Sequence, residues 1–293
     1  MATVWTPGID VLADHAAADW IKPSLSAEFG AITRVVPQGY PAYVRVLHPA
    51  GNADDEPTTW KEVAAHTGRT VHARAQWHAL VDAPDMFNTG DGLWPHRAPR
   101  VGSLAPAPFA ELLRVLARYT TTPQDCLFGL WEGWGWMSGT GVVRSSYDGT
   151  SSQVPSQVPS PFTEAELATP RLHLPDRDYL LLSGLLSAAP ALSQYDDGPF
   201  SWQSPNLVWP ADHAWFVATE IDFDSTLIGG TTDLITDILS APGLEAWPVE
   251  PTGSVAADAD DINPTNPRAL PPLKPASPWA RLRRTLTTTT RPG

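Results

Sequence analysis

Between Ala214 and Val249 the apolar period changes twice within a short stretch, and that pattern limits the fold more than any other part of the chain. Ala214-Trp-Phe-Val-Ala-Thr-Glu-Ile221 is rich in aromatic and β-branched residues and reads as a strand. Gly229-Gly230 then releases the backbone, and Thr231 stands where a helix needs an N-cap. Asp233 falls in the first helical turn, where the dipole favours negative charge, and Leu234, Ile235, Ile238 and Leu239 form one apolar stripe. Pro242-Gly243 stops the helix, and Leu244-Glu-Ala-Trp-Pro-Val249 reads as a closing strand. Such a unit permits a parallel crossover, and its connections also fit a mixed sheet.

Ahead of this unit the signals are shorter. Ile9, Leu12, Ala13, Ala16 and Trp20 recur at helical spacing until Pro23, which predicts an amphipathic helix. Phe29 to Leu47 reads as two strands around Pro37-Gln-Gly39. The second carries Arg45 among apolar neighbours, where an arginine is either paired in the core or left at an open edge. Thr59 and Glu62 form a capping box for a short helix that Gly68 ends, and Phe109, Leu112, Leu113, Leu116 and Tyr119 mark one face of a longer helix. Cys126 to Leu130 reads as a buried strand, Thr163 to Glu166 as a capped turn, Tyr179 to Leu182 as an apolar run and Asn206 to Pro210 as a short strand. The expected architecture is α+β, a mixed, largely antiparallel sheet with short flanking helices. It is built either around one shared core or as two similar-sized α/β lobes, 1–144 and 162–250. The Ser-, Gln- and Pro-rich segment 145–161 is expected to be a flexible loop or a linker between lobes, and 251–293 a disordered tail, because neither carries apolar periodicity.

Charge narrows the function classes. Lys plus Arg number 19 against 32 Asp plus Glu, a net charge of −13, and such a field repels phosphate backbones and anionic lipid. Neither nucleic acid nor a membrane is an expected partner. The tail reverses the sign locally, with Asp258, Asp260 and Asp261 outnumbered by Arg268, Lys274, Arg281, Arg283, Arg284 and Arg291. The first ten residues lack the basic and apolar segments of an export signal, and no apolar stretch approaches the ~18 residues of a membrane span, so an acidic, soluble, cytoplasmic protein is expected. Cys126 is the only cysteine, which excludes an intrachain disulfide, and its apolar neighbours make it a core thiol.

Two clusters carry chemistry. Strand alternation puts Glu220 and Asp222 on one face about 7 Å apart, with Asp224 at the next alternate position beside Ser225 and Thr226. Hard oxygen ligands suit Mg²⁺, so Glu220, Asp222 and Asp224 are the candidate catalytic and metal-binding set. The competing reading has these acids facing water, capping a turn, or paired with an arginine such as Arg45. Trp131, Glu132 and Trp134, with Trp202, Trp209 and Trp215 as a second wall, are the candidate ligand-binding surface, against the alternative that these indoles fill core. His66, His72 and His78 stand six apart, which is no metal spacing, and no phosphate-loop, dinucleotide, nucleophile-elbow or zinc-protease motif occurs.

Phe29 to Pro49, Cys126-Leu-Phe-Gly-Leu-Trp-Glu-Gly-Trp-Gly135 and above all Ser204-Pro-Asn-Leu-Val-Trp-Pro-Ala-Asp-His-Ala-Trp-Phe-Val-Ala-Thr-Glu-Ile-Asp-Phe-Asp-Ser-Thr-Leu-Ile-Gly-Gly230 resemble a family of uncharacterised actinobacterial proteins. The resemblance spans most of 29–249 and implies no activity; the segment 145–161 and the tail lie outside it. The expected function is a non-catalytic protein- or small-ligand-binding protein with a Trp-lined surface and no cofactor. Its rival is a metal-assisted hydrolase or transferase using Mg²⁺ at Glu220, Asp222 and Asp224, and a third reading is a scaffold that homodimerises through exposed Trp.

Overall fold

The computed structural model describes residues 8–86, 89–139, 160–192 and 203–263. In chain order the elements are β1 (Ile9–Val11), β2 (Ala42–Leu47), β3 (Ala50–Gly51), β4 (Pro57–Thr58), α1 (Trp60–Thr67), α2 (Trp77–Leu80), α3 (Pro106–Leu116) and β5 (Cys126–Trp131). There follow α4 (Glu164–Leu167), β6 (Leu172–His173), β7 (Asp178–Gly184), β8 (Leu207–Pro210), β9 (Phe216–Ala218), β10 (Ser225–Gly230), α5 (Thr232–Ser240) and β11 (Glu245–Val249). One sheet runs in the order β1, β7, β5, β8, β9, β10, β2, β11, with β6 also paired to β7, and every neighbouring pair is antiparallel. The fold is α+β, an antiparallel sheet with short helices. Strands from 1–144 and from 162–250 interleave in it, so the second stretch shares the core of the first. Among the described residues no helix is long and apolar enough to cross a membrane.

Period-two alternation gives the sheet two dry faces. Val44, Val46, Phe128, Leu130, Leu180, Leu182, Val208, Val217 and Ile228 meet α3 and α5, whose stripes supply Phe109, Leu112, Leu116, Leu234, Ile235 and Ile238. Tyr43, Leu127, Leu181, Leu207, Trp209, Phe216, Ala218 and Leu227 point the other way, under Ile21, Ile32, Val36 and Val255 from irregular chain. The first face is thus covered by helices and the second by turns and loops. A third cluster, with Leu47, Trp60, Val63, Trp77, Leu80 and Trp94, extends the body beyond α1 and α2.

Helix signals in the sequence are realised where side chains close them. Thr59 and Glu62 form the capping box of α1, and Gly68 ends it at φ 70. Thr163 and Glu166 do the same for α4, and Thr231 caps α5 by accepting from Leu234 N. The final unit is β10, α5, β11 with β2 inserted between its two mutually parallel strands, since both pair antiparallel with β2.

Several expectations are corrected. The helix expected from Ile9 to Trp20 is instead the strand β1, which covers the open edge of β7, followed by a 3₁₀ turn at Ala16–Ala18 whose first amide is held by Asp14. The first strand expected after Phe29 is a 3₁₀ turn at Ile32–Arg34. The strand expected over 214–221 keeps only Phe216–Ala218, because Asn206 takes the Thr219 carbonyl and a turn closes from Phe223 N to Glu220 O. Gly229 and Gly230 lie inside β10 and provide space: a Cβ on Gly229 would stand 2.6 Å from the Tyr40 ring and one on Gly230 2.6 Å from Leu234. At the C-terminal side the chain stays packed past the expected boundary at 250, through buried Val255, Ala259 and Asn263. The rest of the expected tail, 264–293, and all but the last two residues of the 145–161 loop lie outside the described residues.

Gly229→Ala is expected to cost about 1–3 kcal/mol, the range for overpacking a filled core. Urea denaturation should show a lower midpoint at an unchanged slope.

Candidate functional site

Arg45 is the charged exception on the apolar loop-covered face, 1% exposed on β2. It donates from Nε to Ser225 Oγ (2.8 Å), from Nη1 to the carbonyls of Ala75 (2.7 Å) and Ala73 (3.3 Å), and from Nη2 to Asp224 Oδ1 (3.1 Å). The pairing weighed from sequence is therefore the one that forms. Beside it, the six residues between β9 and β10 turn over the end of the sheet.

This turn borders a cavity of about 620 Å³ on the loop-covered face. Its floor includes Leu207, Ala218 and Tyr179 from the sheet, and its walls come from the Gly30–Val35 region, the residues entering α2, the β6–β7 turn and Val255–Ala257. Phe29, 82% exposed, stands at the mouth with Met86 and Val101. Glu220, Asp222 and Asp224 all line it, so the structure brings the three acids to one cavity, although from a turn and not from alternate strand positions.

Arginines answer these acids. Arg177 Nε lies 2.8 Å from Glu220 Oε1 as an ion pair without the alignment of a hydrogen bond, and its Nη2 donates to Asp222 Oδ2 at 2.5 Å. Arg34 donates to Asp176 Oδ2 from Nε (3.0 Å) and Nη2 (2.9 Å). Burial raises the Glu220 carboxyl above its ordinary value, against the pull of the Asp222 amide and Arg177. Burial also lowers the His78 imidazole in the wall. Among the described residues no hydrogen bond joins His78 to Ser225 or to these carboxylates, and a nucleophile–base unit needs one. Nor is any group of three His, Cys, Asp or Glu placed to hold a metal ion among the described residues. Among the described residues Glu220, Asp222 and Asp224 thus form no metal cluster and stand as an arginine-paired wall of the cavity.

The tryptophan surface divides. Trp131 and Trp134 form an edge-on pair at the surface (centroids 5.2 Å apart), and Trp131 and Glu132 border a shallow hollow that shares the β6–β7 turn with the main cavity. Trp209 and Trp215 are fully buried on opposite faces of the sheet, Trp209 stacked on Phe216 and Trp215 donating from Nε1 to the Leu116 carbonyl. These two indoles are core and build no wall; Trp202 lies outside the described residues.

Sequence reasoning missed Asn206, His48, Arg34 and Arg177. Asn206, fully buried, accepts from Trp131 N and Trp134 Nε1 (both 2.9 Å) and donates to the Thr219 carbonyl, which couples the Trp-rich turn to the β9–β10 turn. His48 places Nδ1 2.6 Å from the Arg100 carbonyl, and a carbonyl only accepts, so Nδ1 carries the proton and Nε2 accepts from Thr226. The Pro175-Asp-Arg177 turn ahead of an apolar run was a readable signal for Arg177; the others depend on distant partners.

Cys126 is buried, and its thiol is pushed up to about 12 by that burial, which keeps it protonated. Comparison with protein families, curated proteins and solved structures finds no match.

Breaking the buried pair with Asp224→Asn should cost about 3–5 kcal/mol by stranding Arg45, and Arg45→Met added to it should restore much of the loss, which a double-mutant cycle in urea would measure. His48 gives a pH signature. Burial holds it at about 4 in the folded chain, against 6.5 ordinarily, so its contribution is full above 6.5 and lost as the pH falls to 4. The loss is about 3 kcal/mol, and His48→Gln should flatten the stability profile across that window.

Proposed function

We propose that this protein binds a small molecule without transforming it, in the cavity between the loop-covered face and the β9–β10 turn. The carrying observation is the cavity itself. Its volume of about 620 Å³ falls in the range of small-molecule sites, and aliphatic walls with a few convergent polar groups are their usual lining. Trp77, in the wall, has a buried indole N–H with no acceptor among the described residues. The arginine-paired acids favour binding over metal-assisted hydrolysis, because their charge is already directed at protein groups.

The suggested actinobacterial family belongs to the same proposal. The Ser204 to Gly230 block that carries the resemblance contributes Leu207, Ala218, Glu220, Asp222, Asp224 and Ser225 to the cavity. The exclusion of nucleic acid rests on the net charge of −13.

Filling the cavity tests the reading. Native mass spectrometry of the purified chain should show a retained molecule that Ala218→Phe abolishes. Its re-addition at about a hundred times Kd should stabilise the wild-type chain by about 2.7 kcal/mol in thermal melts and leave the variant unmoved. A native mass equal to the bare chain, with no stabilisation from a broad metabolite panel, would defeat the proposal.

A further inference from the structure

Of the seven large apolar side chains exposed among the described residues, three border one cavity: Phe29 (82%), Val101 (54%) and Met86 (42%). Phe29 stands on a held backbone, since Ser26 Oγ accepts from the Glu28 amide (3.0 Å) and the Gly30 carbonyl accepts from Val255 N (2.9 Å). A ring kept in solvent by fixed chain, beside two further apolar side chains, marks a contact surface.

The chain leaves the described residues next to this surface. Asn263 accepts from Thr70 N (2.9 Å), and its Nδ2 donates to the Thr70 carbonyl (2.7 Å) and to Asp260 Oδ2 (3.0 Å). The same Asp260 oxygen accepts from the amide of Gln76 (3.1 Å), a residue of the cavity wall. One carboxylate oxygen therefore separates Asn263 from that wall.

The sequence that follows suits the rim. Residues 264–293 hold six bases and no acid, whereas the residues before them hold 13 bases against 32 acids. Opposite net charge draws the segment to the body, and a tether of a few residues gives it an effective concentration in the millimolar range, so that a weak contact suffices. Five prolines lie among 264–275, and proline with the residue before it favours the polyproline-II conformation. At about three residues per turn, Leu270 and Leu273 fall on one edge of that helix and Arg268 and Lys274 on another. Such segments dock on aromatic-bearing apolar surfaces without a strand or helix partner.

We propose that residues 268–275 dock across the mouth of the cavity, with Leu270 and Leu273 on Phe29, Met86 and Val101 and with Arg268 and Lys274 toward the acidic body. The contact concerns the rim and holds whether or not a small molecule fills the interior. A nitroxide attached to the full-length protein through Ser277→Cys tests it, because the native Cys126 is buried and does not label. The label should broaden the methyl signals of Met86 and Val101 and spare those of Leu185 and Leu239, which are exposed but do not line the cavity. Leu270→Ser combined with Leu273→Ser should remove the broadening, whereas a segment merely tethered nearby would broaden the rim equally with or without these leucines. Phe29→Ser, at a side chain that packs in no core, should give the same loss from the other side of the contact. Broadening that survives both sets of substitutions, that reaches Leu185 and Leu239 equally, or that is absent at the rim would overturn the proposal. So would broadening found only when spin-labelled chains are mixed with separate isotope-labelled ones, which would place the contact between two copies.

Discussion

Arg45 carries a full charge into a strand whose neighbours are apolar, and the loop-covered face is arranged around answering it. Moving an unpaired ion out of water costs several kcal/mol even after relaxation, so each partner of Arg45 is held where it stands. Those partners come from far along the chain: the carbonyls of Ala73 and Ala75 ahead of α2, the Ser225 hydroxyl at the start of β10, and Asp224 at the end of the preceding turn. One side chain therefore fixes the entry to α2 against the β9–β10 turn, and both border the cavity. His48, three residues on and just past the end of β2, adds a neutral link to Thr226, whose hydroxyl meets Thr219 at 2.9 Å across the same hairpin.

The segment 251–263 completes this wall by backbone pairing. Ile32 N and Thr33 N donate to the carbonyls of Gly253 (3.0 Å) and Pro251 (3.1 Å), and Val255 N returns a bond to Gly30 (2.9 Å). Gly30 adopts φ 80, and a Cβ there would stand 2.9 Å from that of Ala256, so the close approach depends on glycine. Beyond it Asp260 accepts from Gln76 N at 3.1 Å and bonds His72 at 2.9 Å, while Asn263 exchanges hydrogen bonds with Thr70. Polar side chains anchor this strap to the segment that supplies Arg45 with its carbonyl acceptors. Composition alone made the strap look like the start of a tail, because its order comes from partners elsewhere and not from an apolar period of its own.

The same distinction separates what the sequence made legible from what it did not. Capping boxes at Thr59 and Thr163, the stripe of α3 and the Thr231 cap are local, and each could be read from residues within four positions of one another. The single cysteine was legible as core for the same reason. The apparent helix from Ile9 to Trp20 failed because β7 has an open edge, a fact that no residue near position 9 records. The carboxylates were legible as a group, since Glu220, Asp222 and Asp224 do reach one cavity, yet the geometry given for them was wrong. The strand ends three residues early, where Asn206 takes the Thr219 carbonyl, and an arginine from another hairpin takes two of the three. Trp209 and Trp215, six apart in sequence, looked like one wall; they emerge on opposite faces because they lie on either side of the β8–β9 turn.

The position of the cavity follows from the difference between the two faces. Helices satisfy their own backbone and can press a continuous apolar stripe onto a sheet, as α3 and α5 do on one side. Turns and loops must find partners for each amide and carbonyl, and on the other side those partners are polar anchors: Asp176 for Arg34, Asp224 for Arg45, Asp260 for Gln76. Chain held by such anchors spans a distance set by hydrogen-bond geometry and not by side-chain volume, so it can stand off the sheet without collapsing onto Leu207 and Ala218. The charged pairs around the cavity thus have a structural task, to keep the roof in place. Fold and binding capacity are coupled through these pairs, while the apolar core on the helix-covered face remains independent of both.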